Sequence, residues 1–140
     1  MRSVFDQVKH VAAVAPIAAS AVQTSAAIDT KGYGVGMVIV QNGAATGTPS
    51  SYTVDAKVQH CATSGGSYTD VSGAAITQIT ADGKYAQIRL EGLGISVNRF
   101  IKVLVTPAMT GGSSPKALIS ADVLFGQAHR QPVTNSATAV

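Results

Sequence analysis

Three histidines, one cysteine and seven carboxylates are the side chains with which this 140-residue chain could do acid–base, nucleophilic or metal chemistry. Nucleophilic catalysis needs a hydroxyl or thiol beside a base that a third group holds in place. His10, His60 and His129 stand far apart in the sequence, and no motif surrounds any of them. Ser64-Gly-Gly-Ser67 and Gly112-Ser-Ser114 lack the G-x-S-x-G elbow of an activated serine and have the composition of hairpin turns. Cys61 has no second cysteine with which to form an internal disulfide and no metal-ligand spacing around it, so it reads as a small apolar side chain. Asp6, Asp29, Asp55, Asp70, Asp82, Glu91 and Asp122 show no calcium-loop spacing, and nothing in their distribution points to a facing glycosidase pair. Asp70 and Asp82 read as turn caps. Gly32-Tyr-Gly34-Val-Gly36 lacks the x-x-G spacing and the following helix of a pyrophosphate cradle, and reads instead as close backbone packing or a bulge where a strand begins. The expectation is therefore no catalytic residue, no metal site and no cofactor: a chain that is not an enzyme.

The elements that would position any binding surface must come from an unusual composition. At 46% hydrophobic, 12% charged and 14 glycines, the chain is a folded single domain and not a disordered one. Aromatics supply 5% of residues and tryptophan none, so the core must be built from Val, Ile, Leu and Ala. The net charge of +3 comes from ten basic residues spread singly from Arg2 to Arg130, without the concentration on one stretch that a nucleic-acid surface requires. No apolar run reaches membrane-spanning length. Neither a nucleic acid nor a membrane is an expected partner.

From Gly32 onward the pattern is one of strands separated by Gly- and Ser-rich turns. Val35–Gln41 is nearly continuously apolar, as in a central strand, and Asn42-Gly43 opens a long surface turn. Residues 52–60 alternate strictly, with Tyr52, Val54, Ala56 and Val58 on one face. Tyr68–Val71 is a short edge segment, and Ala75–Thr80 and Tyr85–Leu90 flank Asp82-Gly83 as a type I′ hairpin. Arg99–Thr106 is a strand that Pro107 ends, and Ala117–Gly126 is the last strand. This predicts an all-β, antiparallel β-sandwich of about seven to eight strands with extended N-terminal and C-terminal arms, with a closed barrel of the same strands as the alternative and the strand order open. The divisions are 1–27, an N-terminal arm with a first strand near Ile17–Val22; 28–130, the sandwich; and 131–140, a C-terminal tail. Val11–Val22 has the rough outline of a signal peptide, but Asp6 in the leader and Pro16 in the apolar region favour an extended arm. Such an arm of small apolar residues needs a cover, and Val11, Val14, Ile17 and Val22 are its candidate contact residues.

Three stretches in order, Ala27-Ile-Asp-Thr-Lys-Gly-Tyr33, Tyr52-Thr-Val-Asp-Ala-Lys-Val-Gln-His60 and Gly66-Ser-Tyr-Thr-Asp-Val-Ser72, resemble small head-associated structural proteins of tailed bacteriophages. The resemblance covers about Ala27–Val71, with looser echoes in Arg99–Thr106 and Ala117–Gly126, and departs from the family at His60-Cys61-Ala62. It implies a capsid decoration or cement protein on the outer surface of the virion, whose partners are the major capsid protein and neighbouring copies of itself in a dimer or trimer. Two other roles fit the same sequence. One is a head–tail joining or tail structural protein. The other is a host-surface glycan-binding module, for which Tyr52, Tyr68 and Tyr85 are the candidate sugar-stacking rings.

Overall fold

The computed structural model describes residues 3–130 and Val133. One helical turn, α1 (Val4–Gln7), precedes nine strands: β1 (Lys9–Ala19), β2 (Gln23–Thr24), β3 (Ile28–Asp29), β4 (Tyr33–Asn42), β5 (Ser51–Cys61), β6 (Thr69–Ala75), β7 (Tyr85–Glu91), β8 (Phe100–Thr110) and β9 (Ala117–Ala128). They form two antiparallel sheets, one ordered β1-β9-β4-β7 and the other β2-β8-β5-β6, with β3 also paired to β8. The chain is thus an all-β antiparallel sandwich. Among the described residues no helix is long and apolar enough to cross a membrane.

The core lies between the sheets and is built, as the composition requires, from branched aliphatic side chains. Val54, Ala56 and Val58 of β5 face inward on the alternation seen in the sequence, beside Ile101, Val103 and Val105 of β8. Opposite them stand Val38 and Val40 of β4, Ile88 and Leu90 of β7, and Ile119, Ala121, Val123 and Phe125 of β9. The β4 run is central in its sheet, with Val38 and Val40 fully buried while Met37 and Ile39 are half-buried on the outer face. Phe125 is the one aromatic ring among the fully buried side chains. Gly36 makes room for it: a Cβ there would stand 3.2 Å from the ring.

Two connections differ from the sequence expectation. The segment 75–80 and β7 do not form a hairpin. Residues 76–79 continue along β5, where Ile76 N–H donates to Ala56 O and Ile79 exchanges two main-chain hydrogen bonds with Val54, whereas β7 pairs with β4 in the other sheet. Of Asp82 and Gly83 only the glycine has a positive φ, so the link is a crossover between sheets and not a type I′ turn. Pro107 does not end its strand either, since β8 runs through it to Thr110. Its register partner Val54 is already bonded to Ile79, and β2 on the other side reaches only Val105, so neither neighbour asks Pro107 for an N–H.

The N-terminal segment is extended, and its strand begins at Lys9 and not near Ile17. Residues 9–19 are hydrogen-bonded to β9 as the edge of the first sheet, with register shifts between Ala12 and Val14 and between Val14 and Ile17. Pro16 is tolerated because an edge strand has one side without a partner. Deleting residues 1–24 is therefore expected to uncover β9 and to remove the buried Val14 and Ala19, lowering stability by about 2–3 kcal/mol in chemical denaturation. Of the tail expected over 131–140, only Val133 lies within the described residues: it is buried, and its N–H donates to Asp6 O at 3.0 Å.

Candidate functional site

The segment Ala27–Tyr33 carries the chain from one sheet to the other at the end of the sandwich opposite the Gly47 and Gly111 loops. Ile28 is buried and pairs with Ile101. Asp29 accepts two hydrogen bonds from the Arg99 guanidinium, from Nε at 2.9 Å and Nη2 at 2.7 Å, and a third from Lys31 N–H at 3.0 Å. Thr30, 2% exposed, donates both its N–H and its hydroxyl to Arg99 O, at 2.9 and 2.7 Å. Gly32 takes the positive φ of the turn, and Tyr33 then stacks on Phe125 with ring centroids 5.2 Å apart. The motif is thus a staple: each of its polar groups fixes the corner.

The Arg99 hydrogen bonds hold the Asp29 carboxyl below the usual carboxylate range. A depressed folded-state value means that the contribution is present above 3.8 and disappears as pH falls through the lowered value. Both side chains are nearly half exposed, so Asp29→Asn is expected to cost no more than about 1 kcal/mol at neutral pH. The gap between variant and wild type should narrow as pH falls below 3.8, which denaturant titration at pH 7 and at stepwise lower pH would show.

This corner carries a surface assembled from separate segments. A groove of about 820 Å³ lies over it, with Lys31, Tyr33, Leu93, Ile95, Arg99 and His129 on its walls. Ile95 projects from the β7–β8 connection at 90% exposure. Val4 and Phe5 of α1, at 76% and 58% exposure, belong to the same end, because Val133 bonds to Asp6 and joins Lys9, Lys31, His129 and Arg130 around an adjoining hollow. Cations outnumber carboxylates here, with Lys9, Lys31, Arg99 and Arg130 against Asp6 and Asp29, while Glu91 is paired to Arg89 at 2.8 Å. Basic residues that stand singly in the sequence are gathered by the fold at one apolar, positively charged end.

The residues singled out from sequence are dispersed. Val14 is in the chain's own core at 8% exposure and Val11 packs against that core, while Ile17 and Val22 are 43% and 48% exposed. The three tyrosines are not brought together. Tyr85 is exposed at the start of β7, and Tyr52 starts β5 with its ring against the core. Tyr68 lies beyond the far end of β5, with Lys102 Nζ 4.4 Å from its ring centroid and its hydroxyl donating to Ser64 O. His10 Nε2 meets Asp122 at 2.9 Å on the outer sheet face, His60 Nδ1 accepts Asn98 N–H, and His129 is in the cationic end, so the three imidazoles share no site. Among the described residues no group of three His, Cys, Asp or Glu side chains could hold a metal ion.

One polar cluster escaped the sequence analysis. Asn42 is not the opening of a surface turn: it is 6% exposed, its Nδ2 donates to Tyr52 Oη and Ala81 O, and its Oδ1 accepts Lys84 N–H. The Tyr52 hydroxyl donates in turn to Asp82 Oδ1. Burial, and then the neighbouring Asp82 carboxylate, push the Tyr52 phenol up to about 12. With every group partnered, the cluster locks the crossover into β7, and its chemistry is that of a clasp.

The fold is that of a two-sheet, nine-stranded sandwich. No protein-family model matches the chain, and no curated protein matches it. Among solved structures it is similar to the SPBc2 prophage-derived protein YomS, at 13% identity and a TM-score of 0.43, over 89% of this chain and 98% of that one. It is also similar to a chain in the structure of infectious bursal disease virus Gx strain, at 11% identity and a TM-score of 0.49, over 90% of this chain and 34% of that one. A third likeness is to a structure described as Bacillus endospore appendages forming a novel family of disulfide-linked pili, at 16% identity and a TM-score of 0.36 over 90% of this chain.

Proposed function

We propose that this chain is a structural protein of a tailed-bacteriophage virion, acting by binding and not by catalysis, and that it decorates the outer surface of the head by seating its cationic end on the major capsid protein. The observation that carries this is that three exposed apolar side chains, Val4, Phe5 and Ile95, stand with Lys31 and Arg130 at one end of the sandwich. Exposed apolar groups ringed by charge mark a contact site, and the positive rim selects an acidic surface. The resemblance of residues 27–71 to head-associated phage proteins supports the same role. Its first segment is the staple that builds this corner.

A cement protein adds stability to a shell by bridging subunits, and many weak equivalent contacts suffice. Heads lacking the protein should therefore break open on heating earlier than heads to which it has been added back. Unchanged head stability with stoichiometric binding to isolated tails would move the protein to the head–tail junction or tail.

A further inference from the structure

The first sheet has two edges, and they are not alike. β1 is guarded by Pro16 and two register shifts. In the second sheet, β6 carries a register shift and Gly73 at positive φ, and the opposite edge is shared by β2 and β3 of two residues each. Proline, bulges and brevity are among the devices that keep an edge from pairing with another chain, as are charged side chains. β7 has none of these three: its seven residues hold an unbroken register on β4 from Val35↔Glu91 to Gln41↔Tyr85, and its two charged side chains, Arg89 and Glu91, are paired with each other.

The hydrogen bonds of that ladder show which groups are left open. Asn42 N–H donates to Lys84 O, and Lys84 N–H returns to the Asn42 side chain. Antiparallel pairs alternate between bonded and non-bonded, so the bonded ones are Val40↔Ala86, Val38↔Ile88 and Gly36↔Leu90. The main-chain groups of Tyr85, Gln87, Arg89 and Glu91 therefore point away from the sheet. The crossover that leads into β7 does not cover them, because residues 76–79 run along β5 instead.

We infer that β7 pairs antiparallel with β7 of a second copy about a two-fold axis at Ile88, making one continuous eight-stranded sheet of two four-stranded ones. Among the described residues this register uses every outward main-chain group of the strand, about eight hydrogen bonds, with the Glu91 carbonyl also accepting the Ser96 hydroxyl of its own chain at 3.4 Å. It sets Gln87 opposite Arg89 of the second copy and Tyr85 opposite Glu91 of the second copy. Each pair matches a donor to an acceptor on the outer face. The Arg89–Glu91 ion pair within each chain, 2.8 Å long, leaves the edge electrically neutral, so two copies approach without repulsion. The pairing needs no capsid and stands apart from the proposed seating on the head.

The test is the solution mass of the purified chain by light scattering or native mass spectrometry, run without heads. The wild type should give twice 14.2 kDa. Gln87→Pro removes an N–H that the β4 ladder does not use, and should give a monomer that melts as a folded domain. Gln87→Lys places a lysine beside Arg89 of the second copy, and should shift the same equilibrium at least tenfold towards monomer without asking the strand to accept a proline. A wild type that stays monomeric at the highest soluble concentration, a trimer, or a dimer that survives both substitutions would overturn the pairing.

Discussion

Phe125→Ala is expected to lower the stability of the chain by about 3–5 kcal/mol, the usual cost of hollowing a buried phenylalanine. Phe125 is 1% exposed, lies over Gly36 and carries the stacked Tyr33 ring, so the cavity would open between the core and the corner. Against a total of about 5–15 kcal/mol this is a large fraction, and the melting midpoint should fall by roughly 10–20 °C. Scanning calorimetry would check the magnitude. A loss under about 1 kcal/mol would mean that the site collapses freely and that Phe125 does not anchor the corner.

The second large effect is on binding. Ile95→Asp combined with Lys31→Glu should weaken binding to heads about thirtyfold or more, because removing an apolar anchor and reversing a rim charge at one contact cost roughly 2 kcal/mol or more together. The same double variant should fold normally. Ile95 is 90% exposed, and Lys31 gives the staple mainly its main-chain N–H to Asp29, its side-chain charge being the smallest of the influences on that carboxyl. Ile17→Asp, at the opposite end of the sandwich, is the matching control and should bind as the wild type does. If Ile17→Asp abolished binding and the double variant did not, the contact surface would lie along β1 instead.

The parts of the fold legible in the sequence were those written in local periodicity. The inward set Tyr52, Val54, Ala56 and Val58 follows from alternation alone, and the unbroken apolar run of β4 identifies a central strand. What local pattern does not encode is the sheet to which a strand belongs. Asp82-Gly83 between two apolar segments has the chemistry of a hairpin turn, yet Ile79 is drawn to Val54 and β7 to β4, a choice settled by burial across the whole core. Pro107 shows the same limit, since its harmlessness depends on Val54 being bonded elsewhere. Asn42 looked like a turn residue because only the fold brings Ala81, Lys84 and Tyr52 around its amide. The cationic end was invisible for a related reason: Lys9, Lys31, His129 and Arg130 come from opposite ends of the chain and meet only after β9 has closed the first sheet. The motif Ala27–Tyr33 could be seen as a motif, but its role as a staple rests on Arg99, far along the sequence.

The most direct measurement is sedimentation of heads lacking this protein after mixing with increasing amounts of the purified chain, with the bound copies counted at saturation. The proposed role predicts a plateau at a number set by the symmetry of the shell, reached by the wild type and by Ile17→Asp and lost in the Ile95→Asp, Lys31→Glu double variant. Binding that never saturates, or no binding at all by a chain that is folded, would contradict it.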